Sequence, residues 1–416
     1  YLTTMDSEPY FLLRHILRGQ IKMEKNMDNN IKKDVDIVSL RRKRKRRRQM
    51  VKFSAVLVLV AIVLGLYLNR DVWVPKLEGI GGKFHSVKSG ELSGGNFPLS
   101  VSGGIDYQVA ELNGYLAILS DAYFYIYTDD GDLYDERQHA YANAMLQTAG
   151  KKALIYESGG NKFRIDNKRK NIYTKKMEQT IIFARISENG NVAVVTNSDS
   201  YVCTLTVFDE SGEEIYSRNC VERVIDLTFN SDGTGCILAT TDAVNGSLNS
   251  KIISVAFNSK KDKWTSETLD TMCIKTYYDG SGILVLGDTK CAYYDDKGNF
   301  LSSYDYPSDL TDWDYQNGKI ALLFKNETKR QSYLTTMDSE KREPQQTEFS
   351  NSSTKCVRFS GKNVLVLDKD GINQYKFSGG GETAISSDGS YEKFLIINKY
   401  IFLMGFDRIE RMEYKG

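Results

Sequence analysis

The feature that most constrains this chain is a short apolar strand that returns eight times. It reads YLAILS at 115, KALIYE at 152, VAVVTN at 192, CILATT at 236, ILVLGD at 283, IALLFK at 320, VLVLDK at 364 and IFLMGF at 401. Successive copies start 37, 40, 44, 47, 37, 44 and 37 residues apart. Units of about 40–50 residues holding several strands mark a β-propeller, whereas tandem β-sandwich domains would need units about twice as long. The strand does not alternate apolar with polar residues, which fits a strand buried between neighbouring blades on both faces.

The rest of each unit completes a four-stranded blade. One strand precedes the apolar one, as in TIIFARIS, VIDLTFNS and TKCVRFS. Another follows it and turns through a Gly-containing hairpin, as in YIYTDDGDLY at 125–134, TVFDESGEEIY at 206–216 and YYDDKGNFLSSY at 293–304. Glycine supplies the positive φ that such tight turns need. The predicted fold class is therefore all-β: an eight-bladed β-propeller over 96–416, with seven blades as the alternative, preceded by one N-terminal transmembrane helix. The last unit stops at its third strand, RIERMEYKG, so FPLSVS at 97–102 is expected to supply the missing outer strand and close the ring.

Charge divides the chain in two. Its formal net charge is +1. Residues 1–52 hold 15 Lys/Arg and 6 Asp/Glu, and the remainder holds 40 and 48. An acidic body disfavours nucleic-acid binding. Between head and body, residues 53–68 (FSAVLVLVAIVLGLYL) carry no charge. As a helix this run covers about 24 Å, close to a hydrocarbon core of about 30 Å. Arg41, Arg42, Lys43, Arg44, Lys45, Arg46, Arg47 and Arg48 stand just ahead of it. That block reads as a topology signal rather than a nuclear-localisation or RNA-binding patch, and it places the N-terminus in the cytoplasm and the body outside. The run ends in Tyr67-Leu68-Asn69-Arg70-Asp71, without the small-residue site of a cleaved signal peptide, so an uncleaved signal-anchor is expected.

The expected organisation is a largely disordered basic cytoplasmic head at 1–52, a membrane helix at 53–68, a Gly- and Ser-rich flexible linker at 74–95 and the propeller at 96–416. YLTTMDSE at 1–8 recurs at 333–340, and residues 1–22 are read as an upstream extension, with translation from Met23 or Met27.

QHAYANAMLQTAGKKALIYESGGNKFRI at 138–165 and ISENGNVAVVTNSDSYVCTLTVFDESGEEIYS at 186–217 resemble an uncharacterised domain-of-unknown-function family of Gram-positive, clostridial-type bacteria. The resemblance implies a basic head, a single membrane helix and a propeller-like ectodomain. It implies no reaction.

No Walker loop, HExxH, GxSxG or CxxC is present, and neither metal nor cofactor is expected. Asp368, Asp370, Gly371 and Asn373 read as a hairpin turn rather than a calcium loop, since Gly379 stands where the loop needs a Glu. Ligands of propellers often bind at the mouth of the central channel, which the innermost strands line. The polar residues expected in or beside those strands are Asp106, His139, Tyr141, Asn143, Asp226, Lys275, Asp309, Asp312 and Lys355. The ligand-binding candidates among them are His139, Tyr141, Asn143, Asp226, Lys275 and Asp312. A two-residue loop at Ser211-Gly212 would set Cys203 opposite Cys220, within disulfide reach. The functional expectation is a non-catalytic binding or scaffolding module at the cell surface, held to the membrane by one helix and facing a protein, a peptide or a cell-wall polymer. The alternative is a glycan hydrolase or lyase with paired carboxylates at the channel mouth.

Overall fold

A computed structural model of the chain describes Leu92 and residues 94–101, 107–244, 246–280, 282–349, 353–386 and 388–414. The basic head, the run at 53–68, Asp106 and most of the 74–95 linker lie outside the described residues. Among the described residues no helix is long and apolar enough to cross a membrane.

The strands form eight four-stranded antiparallel sheets, which settles the count at eight blades rather than seven. Blades 1 to 7 span 108–138, 144–176, 181–220, 223–265, 273–305, 309–349 and 356–386, each built from consecutive strands. In each, the first strand is innermost, where it meets the first strands of its neighbours, and the fourth is outermost. Blade 8 draws three strands from 393–413 and its fourth from Leu99–Ser100, paired Leu99↔Ile409 and Ser100↔Arg408. The ring thus closes through the N-terminal strand, as its sequence suggested.

The recurrent apolar strand is the second of each blade, and it is buried along its length in Tyr115–Leu119, Val192–Thr196 and Ile283–Gly287. Its alternate side chains enter the seams on either side. Leu116 and Ile118 join Phe402 and Ile409 across the closing seam. Ile237 and Ala239 meet Ile283 and Val285 between blades 4 and 5. Each of the larger side chains contributes about 1.5–3 kcal/mol by leaving water. The outer strands alternate instead, as in Phe300–Asp305, because one face looks outward.

Turn glycines serve these seams directly. The hairpins Asp209–Glu213 and Asp295–Asn299 each begin with an Asp whose carboxylate accepts backbone N–H groups of the turn. In both, Gly212 and Gly298 adopt φ of 89° and 81°. Across the seam, the Trp264 ring lies flat against Gly298, where a Cβ would approach it to 2.4 Å, and the indole Nε1 donates to Asp296 O at 3.0 Å. Tyr173 covers Gly212 in the same way, and Phe97 covers Gly131. Gly298→Ala is expected to destabilise the protein by about 2 kcal/mol or more, since the left-handed backbone alone costs roughly 1–2 kcal/mol for a side chain. Urea unfolding with Trp fluorescence measures this; a midpoint unchanged from the parent would refute the clamp.

One hairpin departs from expectation. Asp209 N–H donates to Glu213 O and Gly212 N–H to Asp209 O, so the loop has three residues rather than two. That change alone would shift the strands by one. A bulge between Val207 and Phe208 shifts them back, and Cys203 still pairs with Cys220.

Candidate functional site

Four consecutive inner strands share one irregularity. Register shifts fall between Ile181 and Phe183, Val224 and Asp226, Cys273 and Lys275, and Leu310 and Asp312. The residues after the shifts pair with Val195, Ala239, Leu286 and Leu323, each fourth in its apolar strand. A bulge re-aims the side chains around it. Here it directs Asp226, Lys275 and Asp312 toward the neighbouring inner strands.

Asp226 is fully buried and saturated. It accepts from Arg185 Nε at 2.8 Å on blade 3, and from Lys275 Nζ at 3.2 Å, Thr276 N at 2.7 Å and Thr276 Oγ1 at 3.0 Å on blade 5. Burial lowers the pKa of Lys275, and the Asp226 carboxylate opposes the shift. Asp312 does the same between blades 6 and 7, accepting from Val357 N and Arg358 Nη1, both at 2.8 Å. Asp314 accepts from Phe359 N at 2.7 Å, and burial raises its pKa. Between blades 5 and 6 the work is aromatic: Tyr277 and Tyr315 stack at 4.2 Å, and Trp313 Nε1 donates to Tyr277 OH at 2.8 Å. Gln108 bridges blades 1 and 2, accepting from Leu146 N and donating to Ala144 O.

The structure therefore brings Asp226 and Lys275 together and places Asp312 in a separate pair. The other candidates lie elsewhere. His139, Tyr141 and Asn143 are in the connection ahead of the inner strand of blade 2, which begins at Ala144, rather than in that strand. The His139 ring Nε2 lies 3.0 Å from Ser120 O, and burial lowers its pKa, so it ties a connection to a turn as a neutral imidazole. Tyr141 is buried beside it, and Asn143 O accepts Ser158 N–H. Lys355 Nζ donates to Tyr391 O at 2.8 Å and pairs with Glu392 at 3.0 Å. Asp309 is exposed. Among the described residues no group of three or more His, Cys, Asp or Glu is placed to hold a metal ion. The Asp368 carboxylate accepts Asp370 and Gly371 N–H, as a hairpin turn requires.

Cys203 and Cys220 face each other and are buried as thiols. A hydrogen bond from Cys220 holds the Cys203 thiol below its usual range. Burial pushes Cys291 and Cys356 up to about 12, which makes them inert packing groups.

A second kind of site was not foreseen: a cleft of about 680 Å³ between blades 2 and 3. Its sequence signal is the polar alternation of Thr204 and Thr206 on one strand with Ser217 and Asn219 on the next.

Residues 100–413 match the profile of a family of unknown function, DUF5711. The chain belongs to that family. A search of curated proteins returns no match. Among solved structures, the DUF5711 propeller is similar to the computationally designed protein Ika8, at 11% identity and a TM-score of 0.58, covering 78% of this chain and 98% of that one. It is similar to Saccharomyces cerevisiae Sqt1 at 10% identity and 0.58, covering 79% and 100%. It is also similar to BamB from Moraxella catarrhalis at 14% and 0.52, covering 76% and 100%. At such identities these likenesses concern the fold of the DUF5711 propeller alone.

Proposed function

We propose that this protein is a membrane-anchored, extracytoplasmic β-propeller that works as a non-catalytic binding or scaffolding module, with its N-terminus in the cytoplasm and its propeller outside. Its partner is an extracytoplasmic protein, a peptide or a cell-wall polymer. One observation carries the non-catalytic reading: the channel-side carboxylates Asp226, Asp312 and Asp314 are each committed to backbone N–H groups of the next blade. A carboxylate so held does not serve as a general acid or base without breaking the seam. What supports the placement is the uncharged run at 53–68 behind the block Arg41–Arg48.

A reporter fused after Gly416 is expected to be active only on the outer side of the membrane, and Gln in place of Arg44, Lys45, Arg46, Arg47 and Arg48 is expected to weaken or invert that result. Reporter activity in the cytoplasm with the parent sequence would refute the orientation. In-cell cross-linking from the propeller surface, read by mass spectrometry, tests the binding role; it fails if no envelope component is captured.

Outside the membrane, Cys203 and Cys220 form a disulfide in this reading. Maleimide labelling of the unfolded, unreduced protein is then expected to modify the other four of the six cysteines and spare these two. Labelling of both would exclude the bond. Reduction is expected to lower stability by about 3 kcal/mol, the scale for closing a loop of roughly 15 residues.

A further inference from the structure

The cleft between blades 2 and 3 lies apart from the channel network. Its floor is one face of blade 3, whose cross-strand rows are Thr196, Thr204 and Asn219, then Val194, Thr206 and Ser217. Phe208 closes one end and the half-exposed Tyr201 stands at the rim. Thr196 and Thr206 are only 4% and 7% exposed, and neither hydroxyl has a hydrogen-bond partner among the described residues. Neither hydroxyl is sealed from solvent, so both are open to water or a ligand in the cleft.

The seam between blades 5 and 6 closes the equivalent position. Thr335 pairs with Leu322 as Thr206 pairs with Val194, each one residue ahead of the position facing the inner-strand bulge. There the Thr335 hydroxyl meets Tyr304 OH at 3.2 Å, from the next-to-last residue of the preceding outer strand. In blade 2 the next-to-last residue is Lys175, whose Nζ lies 5.2 Å from the centre of the Phe208 ring. The hydroxyl is left facing open space.

We infer that this cleft binds an uncharged oligosaccharide. This rests on the reading of the propeller as a binding module and names the ligand class for one site on it. The floor offers hydroxyl and amide groups that both donate and accept, which suits a polyhydroxylated ligand. The half-exposed Tyr201 ring supplies apolar surface for a sugar face. Charge argues against an anionic polymer: Lys175 and Lys176 are outweighed by Glu178, Asp199 and Glu214. The volume lies within the usual range for ligand pockets, about 300–1,000 Å³.

The test is titration of the full-length protein with chitohexaose, cellohexaose and maltohexaose, and with polyphosphate as the anionic control. At least one hexasaccharide is expected to bind, and polyphosphate is not. Thr206→Val removes one hydroxyl at nearly constant volume and Asn219→Ala removes one exposed amide; each is expected to weaken that binding about tenfold, the effect of one hydrogen bond, without moving the unfolding midpoint of Asn219→Ala. Failure of all three sugars to bind, preference for polyphosphate, or binding by both variants as tight as that of the parent would overturn the inference. If the sugars fail while in-cell cross-linking still captures an envelope protein, the cleft assignment falls and the binding-module reading stands; if both fail, both fall.

Discussion

A chain that starts at Ile105 is expected to lose its folded monomeric state, while one that starts at Leu77 keeps it. The shorter chain lacks the outer strand of blade 8. It also lacks buried Leu99 and Val101, and Phe97, whose ring packs 5.6 Å from Phe402. Burial of three such side chains is worth about 5–9 kcal/mol, against a total stability of about 5–15 kcal/mol for a typical domain. The clamp at the same place loses one of its three partners, Gly94 O. Arg411, only 5% exposed, donates to Asp129 O and Asp130 Oδ1 in blade 1 and to Gly94 O at the chain's entry to the ring. Without the closing strand, the third strand of blade 8, Arg408–Glu413, presents unpaired backbone groups as an edge, a template for association. Light scattering after gel filtration, with thermal unfolding, checks both effects. Equal melting and monomeric mass for the two chains would contradict the closure.

The second large effect concerns Asp226. Asp226→Ala is expected to cost about 3–5 kcal/mol, the penalty for breaking a buried ion pair by removing one partner. Arg185 and Lys275 would be left facing each other across three blades, and the Thr276 N–H would lose its acceptor. Asp226→Asn keeps an acceptor for Thr276 and should cost less. Urea unfolding of the two variants separates a structural role from a ligand-binding one. A ligand residue would leave the alanine variant within about 0.5 kcal/mol of the parent, as most substitutions outside packed networks do.

Much of the fold could be read from the sequence because the apolar second strand is buried on both faces and repeats its composition at each blade. The closing strand was legible for a related reason: a last unit ending at RIERMEYKG needs a partner, and FPLSVS is apolar where an outer strand must seal a seam. The site was less legible. Asp226, Lys275 and Asp312 were picked out as polar residues on inner strands, yet their partners, Arg185, Thr276 and Arg358, come from other blades at no fixed sequence distance. The inner-strand bulges that aim them leave no turn residue as a marker. His139, expected in or beside an inner strand, lies in the connection ahead of one, because that strand starts only at Ala144. The Cys203–Cys220 register emerged from a loop that is one residue longer than assumed and a bulge that cancels the difference. The cleft was missed because its floor, alternating Thr, Ser and Asn, looks in sequence like any outward strand face.

Closure by the first strand also sets an order of events during synthesis. Each of blades 1 to 7 is contiguous in the chain and can assemble as it is made, with hairpins forming between near neighbours. Blade 8 cannot, because 317 residues separate Gly94 from the Arg411 that holds it. At roughly 5–20 residues per second, the strand that leaves the ribosome first waits about 15–60 s for the strand it must pair with. For that interval Phe97 and Leu99 stay in water, and blade 1 waits with its closing seam open. The ring is completed by its most distant contact, so its assembly ends in a slow, entropically costly docking step, and that interval is when the nascent protein is most open to chaperones and to the matching edge of another copy.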